Sequence, residues 1–345
     1  MRARHITGAI AFFLLALTAG AQDLHFSQWF NSPLTTNPAN TGFIPDADYR
    51  IGANYRNQYS AVMTVPYKTM SIFGDAQVMR NRIDNGWIGL GGVILRDVAG
   101  SGKLTSTKIY GSAAYHQMLG LASLLTAGFN AGWVNKRINT AELKFPDQFD
   151  GKFFDNSMPT DVVLDNPNVS YFDMQVGMNY AYFPTENIYV NGGFSVHHIN
   201  RPRESFFTAD VQGADARISP RYIAFANASI KLNEMVIVNP MAYYTQQAKS
   251  SELVGGATLQ YNLSGDGETQ LIGGLFVRPG DAFVPMVGFT WKNVRLTFSY
   301  DATSSSLKGA TGGRGAYEFS IIQHGMYPEN VGDIRQVLCP TFKNY

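Results

Sequence analysis

Cysteine, charge and long apolar runs are all scarce in this sequence. Cys339 is the single cysteine among 345 residues, so we expect a fold that does not depend on disulfide bonds. Lys, Arg, Asp and Glu make up 15% of the chain, below the roughly 25% of ordinary soluble domains. After residue 21, no apolar run reaches the ~18 residues of a membrane-spanning helix, which excludes a helical membrane protein.

The first 21 residues have the pattern of a secretory signal peptide. Arg2 and Arg4 form a basic start, an apolar run follows, and the small residues Ala19 and Ala21 predict cleavage before Gln22. Removing Arg2 and Arg4 from the 27 basic side chains leaves 25, against 26 acidic ones. We therefore expect Sec-dependent export and no nucleic-acid partner.

Apolar and polar side chains alternate along most of the remaining chain. Between 171 and 182, the even-numbered residues are large and apolar, whereas the odd-numbered ones after Tyr171 are polar or small. A strand separates two such sets onto opposite faces, and a helix does not. Most segments of this kind are roughly 9–13 residues long, enough for a tilted strand to cross a bilayer. Fourteen can be counted: 49–57, 67–79, 86–95, 106–117, 122–136, 170–182, 187–199, 220–232, 235–246, 252–263, 268–278, 282–291, 293–301 and 315–324.

The connections between these segments alternate in length. The even-numbered connections are short, and among the odd-numbered ones 279–281 is also short. The other odd-numbered connections are long: 58–66, 96–105, 137–169, 200–219, 247–251 and 302–314. Long loops at one end and tight turns at the other, with an even strand number, are typical of an outer-membrane barrel whose short turns lie in the periplasm.

These features predict an all-β fold, a transmembrane antiparallel β-barrel that spans 49–324 with about 14 strands. A large soluble β-sandwich also alternates apolar and polar residues, but strands are usually shorter than these segments. An N-terminal segment, 22–48, precedes the predicted barrel, and a tail, 325–345, follows it. Both would lie on the periplasmic side.

The sequence contains little that indicates an enzyme or a metal site. His197 and His198 are neighbours in a predicted strand, so we expect one in the lumen and one at the interface, unable to share a metal ion. The acidic residues of the 145–155 loop do not have the spacing of an EF-hand. No Gly-x-Ser-x-Gly pattern occurs. We expect no catalytic residue, no metal and no cofactor.

Several charged residues fall at inward positions of the predicted strands. We interpret them as a lumen charge network that braces the barrel wall by internal pairing, although the same residues could select solutes. They are Arg50, Arg56, Arg295 and Asp301.

Eight short stretches, taken in order, are similar to one protein family. They are FSQWFNSPLTTNPANTG (26–42), YRIGANYRNQY (49–59), GLGGVILRDVAGSGKLTST (89–107), LKFPDQFDG (143–151), YFDMQVGMNY (171–180), VHHINRP (196–202), VRPGDAFVPMVGF (277–289) and CPTF (339–342). Together they make the chain resemble the PorP/SprF family of type IX secretion system membrane proteins.

The resemblance implies an outer-membrane β-barrel of Bacteroidota that works with the type IX machinery. It implies protein partners, namely a secreted surface protein, such as a gliding adhesin, that the barrel helps to export or anchor, and envelope components of the same system. It implies contact with outer-membrane lipid but no enzymatic activity and no small-molecule substrate. A passive pore or solute transporter is the alternative, because the barrel pattern alone fits either function.

The stretch 26–42 has neither a helical nor a strand period. Its irregular backbone cannot face lipid, where polar groups would be left unpaired. We therefore predict that it forms a partial plug or a periplasmic docking surface, together with the 325–345 tail. The candidate partner-binding residues lie in this stretch and in the 145–155 loop: Phe26, Gln28, Trp29, Asn37 and Pro38, then Asp147, Phe149, Asp150 and Phe153.

Overall fold

Fourteen antiparallel strands form one closed barrel, in which each strand pairs with the next and β1 pairs with β14. The computed structural model describes residues 26–328 apart from 46, 61, 81, 101, 141–142, 144, 150, 154, 156–157, 159, 161–165, 208–215 and 307. The predicted signal peptide (1–21), Asp150 and most of the tail (329–345) lie outside the described residues. The strands are β1 Tyr49–Gln58, β2 Tyr67–Val78, β3 Gly86–Ala99, β4 Leu104–Met118, β5 Ser123–Arg137, β6 Asn168–Thr185, β7 Ile188–His197, β8 Arg221–Asn233, β9 Val236–Gln247, β10 Ser250–Asn262, β11 Thr269–Arg278, β12 Ala282–Trp291, β13 Val294–Thr303 and β14 Arg314–Gly325.

The alternating sequence pattern sorts side chains between the outer face and the lumen. In β6, the odd-numbered residues from Tyr171 to Phe183 point inward and are buried. Apolar even-numbered residues such as Phe172 and Met178 are exposed on the outer face. An apolar outer band around a polar interior is the arrangement of an outer-membrane barrel. The predicted all-β, 14-stranded antiparallel barrel is confirmed.

The described part of the chain also contains short helices. They are Pro33–Thr36 and Lys308–Thr311, with 3₁₀ turns at Trp29–Asn31, Pro38–Asn40 and Pro146–Gln148. None of the described helices has both the length and the hydropathy of a membrane-spanning helix.

The two ends of the barrel differ in the length of their connections. One end, here called the loop end, carries the long connections 138–167, 198–220 and 304–313. The other end, here called the turn end, carries Tyr49 and Gly325, and its connections are short: 79–85, 119–122, 186–187, 234–235, 263–268 and 292–293. Because outer-membrane barrels keep their short turns in the periplasm, the turn end is the periplasmic one.

Two connections that were predicted to be long are tight turns. Strand pairing continues to Ala99 and resumes at Leu104, which leaves only 100–103 between β3 and β4. The connection between β9 and β10 is 248–249. Gly100, Lys103 and Ala248 adopt positive φ, which lets the chain reverse within a few residues. Several residues of the two predicted loops, such as Arg96, Leu104 and Ser250, pair in the sheet instead.

Candidate functional site: a plug inside the barrel

The described residues between 26 and 48 lie inside the lumen, and we call the segment 26–48 the plug. Its backbone makes three short helical turns, Trp29–Asn31, Pro33–Thr36 and Pro38–Asn40. Pro33 and Pro38 occupy the first position of their turns. A backbone N–H at that position has no partner within the helix, so its absence in proline costs no hydrogen bond. Nearly all side chains between 26 and 42 are buried. This burial explains why the sequence of the plug has no amphipathic period: a segment that is buried on every side has no solvent-exposed face where polar residues would recur.

Buried charges hold the N-terminal part of the plug, and we call this cluster the charged latch. The Glu318 carboxylate accepts hydrogen bonds from the backbone N–H groups of Ser27 and Gln28, each at 2.9 Å. The Ser27 hydroxyl donates to Asp301 at 2.8 Å and accepts from Arg56 at 2.6 Å. Arg56 forms ion pairs with Asp301 at 2.8 Å and with Glu318 at 3.1 Å. The latch therefore joins the plug to β1, β13 and β14.

Arg278 extends the latch to β11. Its guanidinium donates to the Ser27 hydroxyl at 2.8 Å and pairs with Asp281 at 2.8 Å. Arg278 is the last residue of its strand at the loop end. The latch thus lies toward the loop end, whereas the plug joins β1 at the turn end, so the plug runs through much of the height of the barrel.

The burial of the latch makes each of its charges dependent on the others. The side chains of Arg56 and Asp301 are each 3% exposed, and that of Glu318 is fully buried. Removing one member of a buried ion pair typically costs about 3–5 kcal/mol, because its partner is left charged in a medium of low dielectric constant. Loss of any one member should therefore destabilise the protein.

Aromatic rings hold the plug against another part of the wall. The Trp29 ring stacks on Tyr243, with centroids 5.3 Å apart, and contacts Phe225 at 5.9 Å. Phe30 stacks on Phe276 at 5.4 Å. Ring pairs at such distances contribute about 0.5–1.5 kcal/mol each beyond the burial of their area. The plug is thereby attached to β8, β9 and β11.

Asn37 anchors the middle of the plug to β6 and β7. Its side-chain amide donates to the carbonyl oxygens of Met178, at 2.9 Å, and Phe194, at 3.3 Å. A Cβ atom at Gly177 would overlap the Asn37 side-chain oxygen. Glycine at this strand position is what permits the close approach of the plug.

The part of the plug nearer the turn end is bound by a histidine and a second ion pair. A carbonyl oxygen only accepts, so His116 donates from Nε2 to the Thr41 carbonyl at 2.8 Å. The Gly42 N–H donates to Asp75 at 2.8 Å. Arg50 pairs with the same carboxylate at 2.7 Å. These bonds connect the plug to β1, β2 and β4.

The described start of the C-terminal tail contacts the end of the plug. The Tyr327 N–H donates to the Asp48 carboxylate at 2.7 Å, and the Tyr327 hydroxyl donates to the carbonyl of Gln77 at 3.1 Å. Arg80 lies 3.6 Å from the same Asp48 carboxylate. Both chain segments that flank the barrel therefore meet at the turn end.

The structure places the five candidate partner-binding residues of the plug inside the barrel. All are buried: Phe26, Gln28, Trp29, Asn37 and Pro38. In this conformation they contact the wall and present no surface to another protein. Their partner-binding role stays a prediction, and it would require the plug to move.

The other candidates lie outside the lumen, in a connection at the loop end. Asp147, Phe149 and Phe153 belong to the 138–167 connection at the loop end, where Phe149 is 46% and Phe153 is 73% exposed. Asp150 lies outside the described residues. The candidate residues of the sequence therefore fall into two groups, one in the lumen and one on the outer surface.

The four residues assigned to a lumen charge network occupy three places. Arg56 and Asp301 pair with each other in the latch. Arg50 belongs to the separate pair with Asp75, and Arg295 lines a cavity beside the plug. Residues that sequence reasoning missed are Ser27, Asp75, Arg278 and Glu318. The signal for Asp75 and Glu318 was present, since each is an acidic residue at an inward position of a strand.

The prediction that His197 and His198 lie one in the lumen and one at the interface is wrong. Both side chains are buried. Strand β7 ends at His197, and His198 adopts a φ of 57°, so the alternation stops there. The His198 ring lies inside, with Nδ1 2.8 Å from Asp173. Within the described ranges, no group of three or more His, Cys, Asp or Glu residues is placed to hold a metal ion.

Comparison with known proteins gives one family and one fold. The family model of the type IX secretion system membrane protein PorP/SprF matches residues 18–322. No curated protein matches the sequence. A FadL homologue of Pseudomonas aeruginosa is similar in structure, with a TM-score of 0.50 and 9% identity over 85% of this chain and 94% of that chain. The toluene transporter TodX of P. putida has a TM-score of 0.49 and 12% identity over 86% of this chain and 95% of that chain.

Proposed function

Because this chain belongs to the PorP/SprF family of type IX secretion system membrane proteins, we propose that it is an outer-membrane barrel that helps to export or anchor a secreted surface protein. A gliding adhesin is the kind of partner we have in mind. The barrel would act through protein–protein contacts, together with envelope components of the same system. We assign it a binding role, with neither a reaction nor a small-molecule substrate.

The observation that carries this proposal is the filled lumen. The plug is bonded to β1, β2 and β4 near the turn end, to β6 and β7 in its middle, and to β11, β13 and β14 through the latch. Trp29 and Phe30 occupy the space beside β8, β9 and β11. A passive diffusion channel needs a continuous polar passage. A lumen occupied in this way supports a barrel that binds protein over a barrel that conducts solutes.

We place the outer contact surface for the partner on the 138–167 connection. Phe153 is 73% exposed there, and Phe149 lies four residues before it. Exposed aromatic side chains are enriched where proteins bind one another. Asp147 and Asp150 complete this candidate set, with Asp150 outside the described residues.

An affinity pull-down tests the proposal. The tagged protein would be recovered from gently solubilised outer membranes, and the proteins that accompany it identified by mass spectrometry. We expect a large secreted surface protein or type IX envelope components. Phe153→Ala should lower that recovery, whereas Leu121→Ala, which removes an 80% exposed side chain at the turn end, should not. Recovery of the barrel alone would contradict the proposal and favour the pore or transporter alternative.

A further inference from the structure

Three basic side chains lie close together on the outer face of the barrel, and we call them the basic patch. They are Lys68 in β2, Arg96 in β3 and Arg137 in β5, all exposed and all near the loop end. Lys68 lies opposite Val98, two positions from Arg96. Thr105 lies opposite both Val98 and Arg137. Because neighbouring strands are about 4.8 Å apart, the patch spans about 14 Å of the wall.

The charges that β1 to β6 turn outward are all positive. In β2 and β3, exposed residues alternate with buried ones that face the lumen, and this alternation places Lys68 and Arg96 outside. The acidic residues of these six strands face the lumen. Asp75 and Asp173 are buried there, and Asp97 accepts a hydrogen bond from a buried threonine on the inner face.

The other side of the barrel differs in charge. Toward the loop end, the outer face of the described strands β7 to β13 carries no charged side chain. Its exposed side chains include Tyr222, Tyr244, Leu253 and Phe283. The basic patch is therefore a local feature of one side and not a general property of the rim.

The charges of the basic patch are not compensated within the described part of the chain. No described residue forms a hydrogen bond or an ion pair with the side chain of Lys68, Arg96 or Arg137. In contrast, the nearby lumen residue Arg50 pairs with Asp75 at 2.7 Å. Neighbouring positive charges repel one another, and an anion placed between them would turn that repulsion into attraction.

The outer face next to the basic patch is apolar. Toward the turn end, β2 continues with exposed Met70 and Ile72, β3 with Ile94, and β5 with Trp133. These residues belong to the band that faces hydrocarbon in an outer-membrane barrel. Long basic side chains at such a boundary lay their stems on the apolar surface and hold their charge at the level of the lipid headgroups. The surface thus fits an occupant with negative charge beside an apolar part, which a lipid has and a soluble acidic protein lacks.

We propose that the basic patch binds the phosphate group of an anionic lipid in the outer leaflet. Arg96 and Arg137 can each donate two hydrogen bonds to a phosphate, and Lys68 adds a compact positive charge. The Thr107 hydroxyl, directly opposite Arg96, offers a further donor. The acyl chains of the lipid would lie along the neighbouring apolar residues. This inference goes beyond the proposed function, because its ligand is a lipid and not a protein.

Native mass spectrometry of the full-length protein in detergent tests the basic patch. The probes are monophosphorylated lipid A and the same lipid with its phosphate removed. Lys68→Gln with Arg96→Gln should weaken binding of the phosphorylated lipid about tenfold, since hydrogen bonds to charged groups contribute that much to affinity. Arg82→Gln with Lys292→Gln is the matched control, because it removes the same two residue types from exposed positions at the turn end. It should bind as the wild type does.

Heat-modifiable gel mobility shows whether each variant is folded. Lys68→Arg with Arg96→Lys keeps both charges and should retain binding, whereas adding Arg137→Gln to the neutralised variant should weaken it further. Equal affinity of the wild type and the neutralised variant, or equal affinity of the wild type for the two lipids, would overturn the inference. Displacement of the lipid by an equal concentration of inorganic phosphate would also overturn it, because the patch would then hold a free anion.

The pull-down distinguishes a lipid from an acidic protein as the occupant of the basic patch. If the neutralised variant binds the phosphorylated lipid as the wild type does but recovers less partner, the patch is a protein contact and the lipid inference fails. If it recovers the partner normally and binds the lipid weakly, the lipid inference stands.

Discussion

Single residues of the wall fix the position of the plug in two ways: some leave space for it, and others form hydrogen bonds with its buried polar groups. Gly177 does the first, because the Asn37 side chain lies where a Cβ atom of any other residue would be. Glu318 does the second, because its carboxylate accepts from two consecutive backbone N–H groups of the plug. Gly177 and Glu318 belong to wall strands β6 and β14. Each role can therefore be tested by a substitution in the wall that leaves the plug sequence unchanged.

Gly177→Ala should destabilise the protein by about 1–3 kcal/mol, the usual range for overpacking a close contact. Gly273→Ala is the matched control, since a Cβ atom there meets nothing within 4 Å. The free energy of unfolding in urea, measured in lipid vesicles, checks both. In an Asn37→Ala background the cost of Gly177→Ala should largely disappear. A cost that persists in that background would mean that the clash is not with the plug.

Glu318→Gln should lower the free energy of unfolding by about 3–5 kcal/mol, because it leaves Arg56 buried with less compensating charge. Glu268→Gln changes an exposed acidic residue in a turn at the turn end and should remain within about 0.5 kcal/mol of the wild type. The same urea experiment compares the two variants. Equal effects would show that the latch does not stabilise the protein.

At the scale of elements, the strands could be predicted from the sequence, but the conformation and wall contacts of the plug could not. The alternation in 171–182 depends only on neighbouring residues, and it marks β6 and the face that β6 turns to the lumen. The plug is held by contacts that are remote in sequence, such as the bond from Ser27 to Glu318, 291 positions away. A pattern of local residues carries no information on such pairs. The sequence therefore indicated that 26–42 avoids lipid but not which wall residues it meets.

Replacing 26–42 by a Gly/Ser linker of equal length should leave a heat-modifiable barrel. The sheet closes through pairing of β1 with β14, from Tyr49 opposite Gly325 to Gln58 opposite Ala316, and none of these strand residues is removed. The same variant should lose the partner in the pull-down, because 26–42 carries five of the candidate partner-binding residues. Undiminished partner recovery from a folded variant would contradict a role for the plug in binding.

At the scale of the whole molecule, the barrel is a wall whose interior is occupied by its own N-terminal segment. Fourteen strands enclose more space than their side chains fill, so either a passage or a filling segment must be present. Here the charged latch, the aromatic contacts and the Asn37 anchor distribute the plug over most of the circumference. The sequence predicted the strand number and the polar interior, and it left open whether that interior conducts.

Conductance in a planar bilayer tests most directly whether the plug closes the barrel. The purified wild-type protein should show no steady current, and the variant with a Gly/Ser linker in place of 26–42 should conduct. Gly273→Ala, which alters the wall without touching the plug, should be as silent as the wild type. Steady conductance by the wild type, equal to that of the linker variant, would contradict the account.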